Sequence, residues 1–380
     1  MRGGGVRQDT GRVASSEPKV SAGWPHFLVR AALEDRWWPG DVLRPLRHAL
    51  VNDVFSYSTG DTEYEIESVP MGNHAAFTRG DHRVYFLLDT GEVRCVDDGD
   101  LGASLEELGC PSDAVFSGPR PRGPSAVFAS SEGTVFVSTP HGTTFRTAGS
   151  GRPWEASLRC AVWRMTEDDR GGLYAGNYDD GADGGATLYR SDDQGRSWTV
   201  SFRESRCRHI HTVRWDPIEG RLYCSFGDHR WLRGEACSGD YGRSWEVLRR
   251  GPAHGHTDVA FTSRYVLWAS DDNSGRIYRV PRGKHRGCAI TGHRQNIWFV
   301  VARGRQVFAG SWTDRGAAAL LASHDEGDHW QKIMEFPVPE GRGGGFCNDS
   351  RNLSAGGWLY VSFSGNRRSY RVRRASPSAP

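Results

Sequence analysis

Apolar runs of five or six residues recur along the chain: VYFLLD at 84–89, VFVST at 135–139, LYAGN at 173–177, LYCSF at 222–226, VLWAS at 266–270, VFAGS at 307–311 and LYVSF at 359–363. Each is rich in β-branched and aromatic residues, so each predicts a short, largely buried strand. The stretch EYEIESVP at 63–70 alternates apolar with charged positions and predicts a half-buried strand, as does SYRVRR at 369–374. Helix-period patterning is nearly absent after residue 50. Before it, FLVRAALEDRWW and VLRPLRHALV predict one or two helical turns within 27–50. Seven matching runs predict seven repeating units; a six-unit chain would require one run to be spurious. Only one further strand follows the last run, so EYEIESVP is the natural donor of the strand that the last unit lacks.

Between these runs one octapeptide is written three times, as SDDQGRSW at 191–198, SGDYGRSW at 238–245 and SHDEGDHW at 323–330. Ser-x-Asp-x-Gly-x-x-Trp has the makings of a tight turn. The aspartates accept backbone N–H bonds, Gly195, Gly242 and Gly327 permit positive φ, and Trp198, Trp245 and Trp330 plug the adjacent sheet. Ser191 and Ser238 stand 47 positions apart and Ser238 and Ser323 stand 85 apart, about two units with one copy lost near 278–288. A degenerate copy, TAGSGRPW, occupies 147–154, with Gly149 in place of the aspartate. A period in the forties with short strands predicts a β-propeller, each repeat one four-stranded blade.

The octapeptide resembles the Asp-box of the sialidase superfamily. The expected fold is therefore all-β: a seven-bladed β-propeller with Asp-box turns, closed by the N-terminal strand. It should occupy 63–374, preceded by a disordered segment at 1–26 and a lead-in at 27–62 packed on the ring, and followed by a disordered tail at 375–380. The Phe/Tyr-Arg-Ile-Pro motif of sialidases is met here only by Tyr278-Arg279-Val280-Pro281. That segment falls in the third strand of the fifth blade, so it reads as structural.

Charge narrows the partners. Lys plus Arg number 48 and Asp plus Glu 46, a net charge of +2, which argues against bulk electrostatic binding of nucleic acid. No stretch approaches a membrane span, and 1–26 lacks the apolar core of a signal peptide. A monomer in the cytoplasm follows by default, or a secreted protein if the true N-terminus differs. The 8 cysteines show no CxxC or metal-knuckle spacing and fall mostly in or beside strands, so they are expected as buried free thiols.

The resemblance implies that the Asp-boxes lie between third and fourth strands, on the face opposite the substrate site. The start of each first strand and the loop after each second strand then open on that other face. Arg208, His209 and His211 precede or begin the first strand of the fourth blade, and Asp228 and His229 follow its second strand. The fifth blade has His254 and His256, then Asp271 and Asp272. The sixth has His293, Arg294 and Asn296, then Trp312 and Asp314, while Asn177 and Tyr178 end the second strand of the third. With His74 and His141, eight of the 14 histidines map to one rim. Imidazole and carboxylate repeated at a propeller mouth point to a ligand site.

Propellers that the resemblance brings in include glycoside hydrolases and polysaccharide lyases, so an acidic glycan, carrying uronate or sialate, is the expected partner. The residue set fits a lyase better than a hydrolase. In a lyase Arg208 or Arg294 would neutralise the uronate carboxylate, His209, His211 or His256 would remove the proton, and Tyr178 or another histidine would protonate the leaving oxygen. Asn177, Asn296, Trp312, His229 and His293 would line the subsite. A hydrolase would use Asp228 and Asp272 as acid and base. No cofactor is required, although His209, His211, His254 and His256 could satisfy a divalent metal. The alternative is a non-catalytic interaction or assembly propeller. On either reading Trp245→Ala is expected to cost about 3–5 kcal/mol and His256→Ala almost nothing.

Overall fold

The computed structural model describes residues 64–69, 74–77, 83–88, 91–97, 106–109, 126–139, 142–178, 184–228, 232–251, 254–270, 276–284, 288–289, 295–314, 316–338, 343–348, 353–354, 356–364 and 368–375. The helical turns expected at 27–50, the rest of the lead-in, and the two terminal segments at 1–26 and 376–380 lie outside them. All seven apolar runs are strands, and every strand among the described residues pairs antiparallel.

The strands fall into quartets in chain order. Five quartets are separate four-stranded sheets, and the last two are joined into one eight-stranded sheet by the pairing of Trp312 and Thr313 with Gly345 and Gly344. The final quartet comprises Gly344–Cys347, Leu359–Phe363, Arg368–Arg374 and, from the other end of the chain, Tyr64–Val69. Tyr64 pairs with Arg374 and Val69 with Ser369, so the N-terminal strand covers the edge that the C-terminal strand would expose. Arg371 and Arg373 add ion pairs to Glu67 and Glu65 across this seam. First strands of successive quartets lie side by side, and His74–Phe77 in the first quartet meets Leu359–Phe363 in the last. The architecture is that of an all-β propeller.

The repeated octapeptides join third to fourth strands and clamp each quartet to the one before it. Ser191 Oγ donates to Asp193 Oδ1 (2.8 Å) and accepts from Gly195 N (2.8 Å), while Asp193 accepts from Ser197 N and Oγ. The glycines have positive φ as expected, and so do the residues before them, Gln194, Tyr241 and Glu326, which the motif leaves unspecified. The tryptophans work between sheets. Trp198 Nε1 donates to Ser157 Oγ (3.0 Å), which donates in turn to Gly195 O, and Trp245, Ser201 and Gly242 repeat this one quartet on. Trp154 of the degenerate copy donates to Leu108 O.

The third octapeptide clamps differently. The short Cys288–Ala289 strand closes the fifth quartet, and here Arg264 N and Nε and Ser263 Oγ donate to the Glu326 carboxylate. Trp330 is 2% exposed, whereas Trp245 is only partly buried. The full cost expected for Trp245→Ala therefore belongs to Trp330, because the Trp245 ring covers a seam whose outer side is open to water.

Around the axis, inner strands of four quartets converge on Asp258, which is 0% exposed. Arg214 Nε and Nη2 donate to its two oxygens (3.2 and 3.1 Å), Thr212 Oγ1 and Val300 N donate as well, and Arg164 Nη1 lies 3.6 Å away. Arg164 Nη2 also reaches Trp298 O and Arg214 Nη2 reaches Val300 O. Cys95, Cys160, Cys207, Cys224 and Cys237 are buried free thiols, as their placement in or beside strands implied.

The turn aspartates carry a pH signature. Asp193, Asp240 and Asp325 each have their pKa held at about 2, below the ordinary aspartate value of 3.8. The Ser197 and Ser244 hydroxyls are the main cause in the first two; in Asp325 burial acts upward but is outweighed by bonds from His329 and Ser323. A carboxylate depressed on folding stabilises above its unfolded pKa and loses that contribution as pH falls through the folded one. Asp193→Asn is therefore expected to unfold more easily than wild type at pH 6, with the difference narrowing between about pH 4 and pH 2, followed by urea denaturation.

Candidate functional site

On the face opposite the octapeptide turns, the fourth quartet assembles a compact group. His209 begins its first strand, His209–Asp216, and pairs with Gly227 at the end of the second, Arg221–Gly227. The ladder slips between Ile210 and Thr212, so His211 is the extra residue of a β-bulge. A Cβ on Gly227 would lie 2.1 Å from His211 Cε1, so the ring needs glycine beneath it. The next residue, Asp228, has φ 66°, a conformation that aims its carboxylate back over the rings.

The Asp228 oxygens stand 3.3 Å from His209 Nε2 and 3.5 Å from His211 Nε2, and Arg208 Nη1 donates to Oδ2 at 3.3 Å. His211 Nδ1 lies 2.9 Å from Gly255 O, an acceptor only, so this nitrogen carries the proton. Burial alone would raise the Asp228 pKa. The hydrogen bond from His211 and the charges of His211, His209 and Arg208 outweigh it and hold the carboxyl well below its usual range.

A second group lies beside the first. Glu235, on the third strand Gly234–Ser238, is 0% exposed, and its Oε1 takes His254 Nδ1 (3.1 Å) and His256 Nε2 (3.0 Å). Arg249 Nε stands 3.8 Å from Oε2. Burial pushes Glu235 up, and the His256 charge with hydrogen bonds from both histidines more than reverses it. The four histidines grouped by sequence as one metal set thus divide into two pairs, each with its own carboxylate.

An aromatic row extends from the first group. The Tyr178 ring stacks on His209 (4.2 Å between centroids) and meets Trp163 (4.6 Å), Trp163 meets Trp298 (5.2 Å), and Trp298 stacks on Trp312 (5.6 Å). Tyr178, Trp298 and Trp312 are partly exposed, and the Arg208 side chain is 53% exposed.

These placements correct several expected roles. His209, His211 and His256 are buried at 3%, 2% and 3% exposure and each is paired with Asp228 or Glu235, so none is open to a glycan. Asn177 is 1% exposed, and its amide bridges its own quartet, donating to Gly185 O and accepting from Thr187 N, so it does not line a subsite. Asn296 is partly buried and pairs with Trp312 across the sixth quartet. Arg208, Tyr178, Trp312 and Asp228 do gather on the expected face. His229, His293, Arg294, Asp271 and Asp272 lie outside the described residues, as does His141. Glu235, Trp163 and Trp298 were not anticipated. The tryptophans left a signal, each standing second in an inner-strand run, VWRM at 162–165 and IWFV at 297–300.

No protein-family model matches the chain, and no curated protein matches it. Solved structures do. One is YCF48 bound to D1 peptide, with TM-score 0.57 and 13% identity over 84% of this chain and 99% of that one. Another is a chain of the mitotic checkpoint complex, with TM-score 0.57 and 11% identity over 86% and 98%. At these identities the likeness is one of fold, and it agrees with the strand pairing in defining a β-propeller. Among the described residues no helix is long and apolar enough to cross a membrane.

Because His256 is paired at 3.0 Å with a fully buried carboxylate, His256→Ala should destabilise by roughly 3–5 kcal/mol, the range for breaking a buried pair from one side. The earlier expectation of no effect is reversed. Equilibrium urea unfolding near pH 7 measures it, and an unchanged midpoint would return His256 to a surface role.

Proposed function

We propose that this chain is a non-catalytic interaction propeller that holds a protein partner on the face carrying Arg208, Tyr178, Trp298 and Trp312. The observation that carries the reading is the burial of the imidazoles. His209, His211 and His256, the groups suited to proton transfer, are turned inward onto Asp228 and Glu235, whereas the partly exposed groups around them are aromatic rings and a guanidinium. A general base must come within hydrogen-bond reach of the proton it takes. Aromatic side chains and arginine, by contrast, are the residues that dominate protein interfaces. Of the solved structures with this fold, YCF48 is bound to a peptide. The repeated Ser-x-Asp-x-Gly-x-x-Trp turns support descent from the Asp-box propellers of the sialidase superfamily, with the turns serving as structural clamps.

One arrangement favours a second reading, cleavage of a uronate- or sialate-containing glycan. The partly exposed Arg208 stands beside Asp228, and the Tyr178 ring is stacked on His209, so a carboxylate-binding cation and a phenol adjoin an imidazole.

The two readings separate in one experiment. A displayed peptide library selected on the full chain is expected to give binders whose affinity falls at least about tenfold in Arg208→Ala and Trp312→Ala. In parallel, uronate polymers and sialosides should show neither new ultraviolet absorbance nor new reducing ends. Steady turnover lost in His209→Ala would overturn the interaction reading in favour of the enzyme.

A further inference from the structure

We propose that His209, His211 and Asp228 form a binding site for one divalent transition-metal ion of the zinc class. The inference does not depend on what the propeller binds. Three donors, an imidazole nitrogen from each histidine and an oxygen from Asp228, lie within 4.8 Å of one another. Metal–ligand bonds of about 2.0–2.2 Å at tetrahedral angles set donors roughly 3.3–3.5 Å apart. Asp228 Oδ2 stands 3.3 Å from His209 Nε2 and its Oδ1 stands 3.5 Å from His211 Nε2, so the carboxylate spans both rings at a spacing that suits a shared cation and is long for a charge-assisted hydrogen bond.

The surroundings prepare His211 as a ligand. Its Nδ1–H is held by Gly255 O at 2.9 Å, so in the neutral ring Nε2 carries the lone pair and faces Asp228. A ring fixed by a carbonyl on its far nitrogen is the usual second-shell support of a metal-bound histidine. Protons could satisfy the carboxylate instead. That would charge two buried rings whose centroids are 5.0 Å apart, with Arg208 as a third cation on the same carboxylate. One divalent ion meets both lone pairs and the carboxylate at once. Two imidazoles with one carboxylate suit zinc and its first-row neighbours rather than magnesium or calcium. Asp228 is the most exposed of the three, so the open side of the site faces solvent, where water or a partner's side chain would complete the coordination.

The neighbouring group supplies an internal contrast. His254 and His256 both address the same oxygen, Glu235 Oε1, at 3.1 and 3.0 Å, ordinary hydrogen-bond lengths, and Arg249 stands near the other oxygen. Both rings converge on one oxygen at hydrogen-bond length instead of spanning the carboxylate, so this group is assigned no ion.

The test uses the full chain, stripped with a chelator and dialysed against Zn²⁺ alone. One equivalent should bind and raise the melting temperature. Asp228→Asn keeps the left-handed conformation, since asparagine adopts it readily. It should lose more than about 100-fold in zinc affinity, beyond the range seen for second-shell changes. Its melting temperature without metal reports whether the fold is kept. His254→Gln should bind zinc within about threefold of wild type, because its cluster is structural. Co²⁺ in place of zinc should show the visible bands of a four-coordinate nitrogen and oxygen site, absent in Asp228→Asn. Substoichiometric zinc in the wild type, undiminished zinc in Asp228→Asn, or an equal loss in His254→Gln would each overturn the assignment.

Discussion

Asp258 has no exposure to water, and its two oxygens gather donors from the inner strands of the fourth and sixth quartets, with Arg164 of the third close by. A carboxylate in that position is costly unless it is neutralised and fully hydrogen-bonded. Here two guanidinium groups, a hydroxyl and a backbone amide meet the requirement, and the same arginines continue to Trp298 O and Val300 O. Strands that are distant in sequence are thus held at fixed separations around the axis. The rim follows from this, since Trp163 and Arg164 are consecutive on one inner strand and Trp298 and Val300 lie two apart on another.

The periphery is held by another device. Each octapeptide turn lends its tryptophan or its acidic residue to the preceding quartet, through Ser157, Ser201 or Arg264. Inner charge pairs and outer clamps therefore act on the same sheets from opposite edges. The octapeptide turns lie at the Leu222–Ser238 end of the fourth quartet and the histidines at its His209–Gly227 end, so structure and recognition are separated along the strands. The imidazoles stand at the recognition end, His256 against the buried Glu235 and His209 and His211 against Asp228, whose side chain is 32% exposed.

Much of the fold was legible in the sequence because it rests on short-range chemistry. Strand-length apolar runs, a turn that requires glycine at positive φ, and an orphan strand at each end determine the quartets and their closure. The rim was legible as a location, since strand alternation tells which ends share a face. Side-chain direction was not. His211 points inward because the ladder slips at that residue, and Asp228 turns back because it adopts φ 66°, neither of which a His-x-His or an Asp after a strand announces. Glu235 and Asp258 were opaque for a related reason: a carboxylate in a strand reads as solvent-facing until its partners, from other quartets, are known. Asn177 was misplaced because its amide bridges its own quartet, to Gly185 and Thr187.

The dependence of the ring on Asp258 is most directly measured by equilibrium unfolding of Asp258→Ala at neutral pH. Removing the carboxylate leaves Arg164 and Arg214 buried without their shared counter-charge, and a loss of about 3–5 kcal/mol is predicted, with weakened hydrogen-exchange protection at Val300. An unfolding free energy equal to that of the wild type would contradict the account.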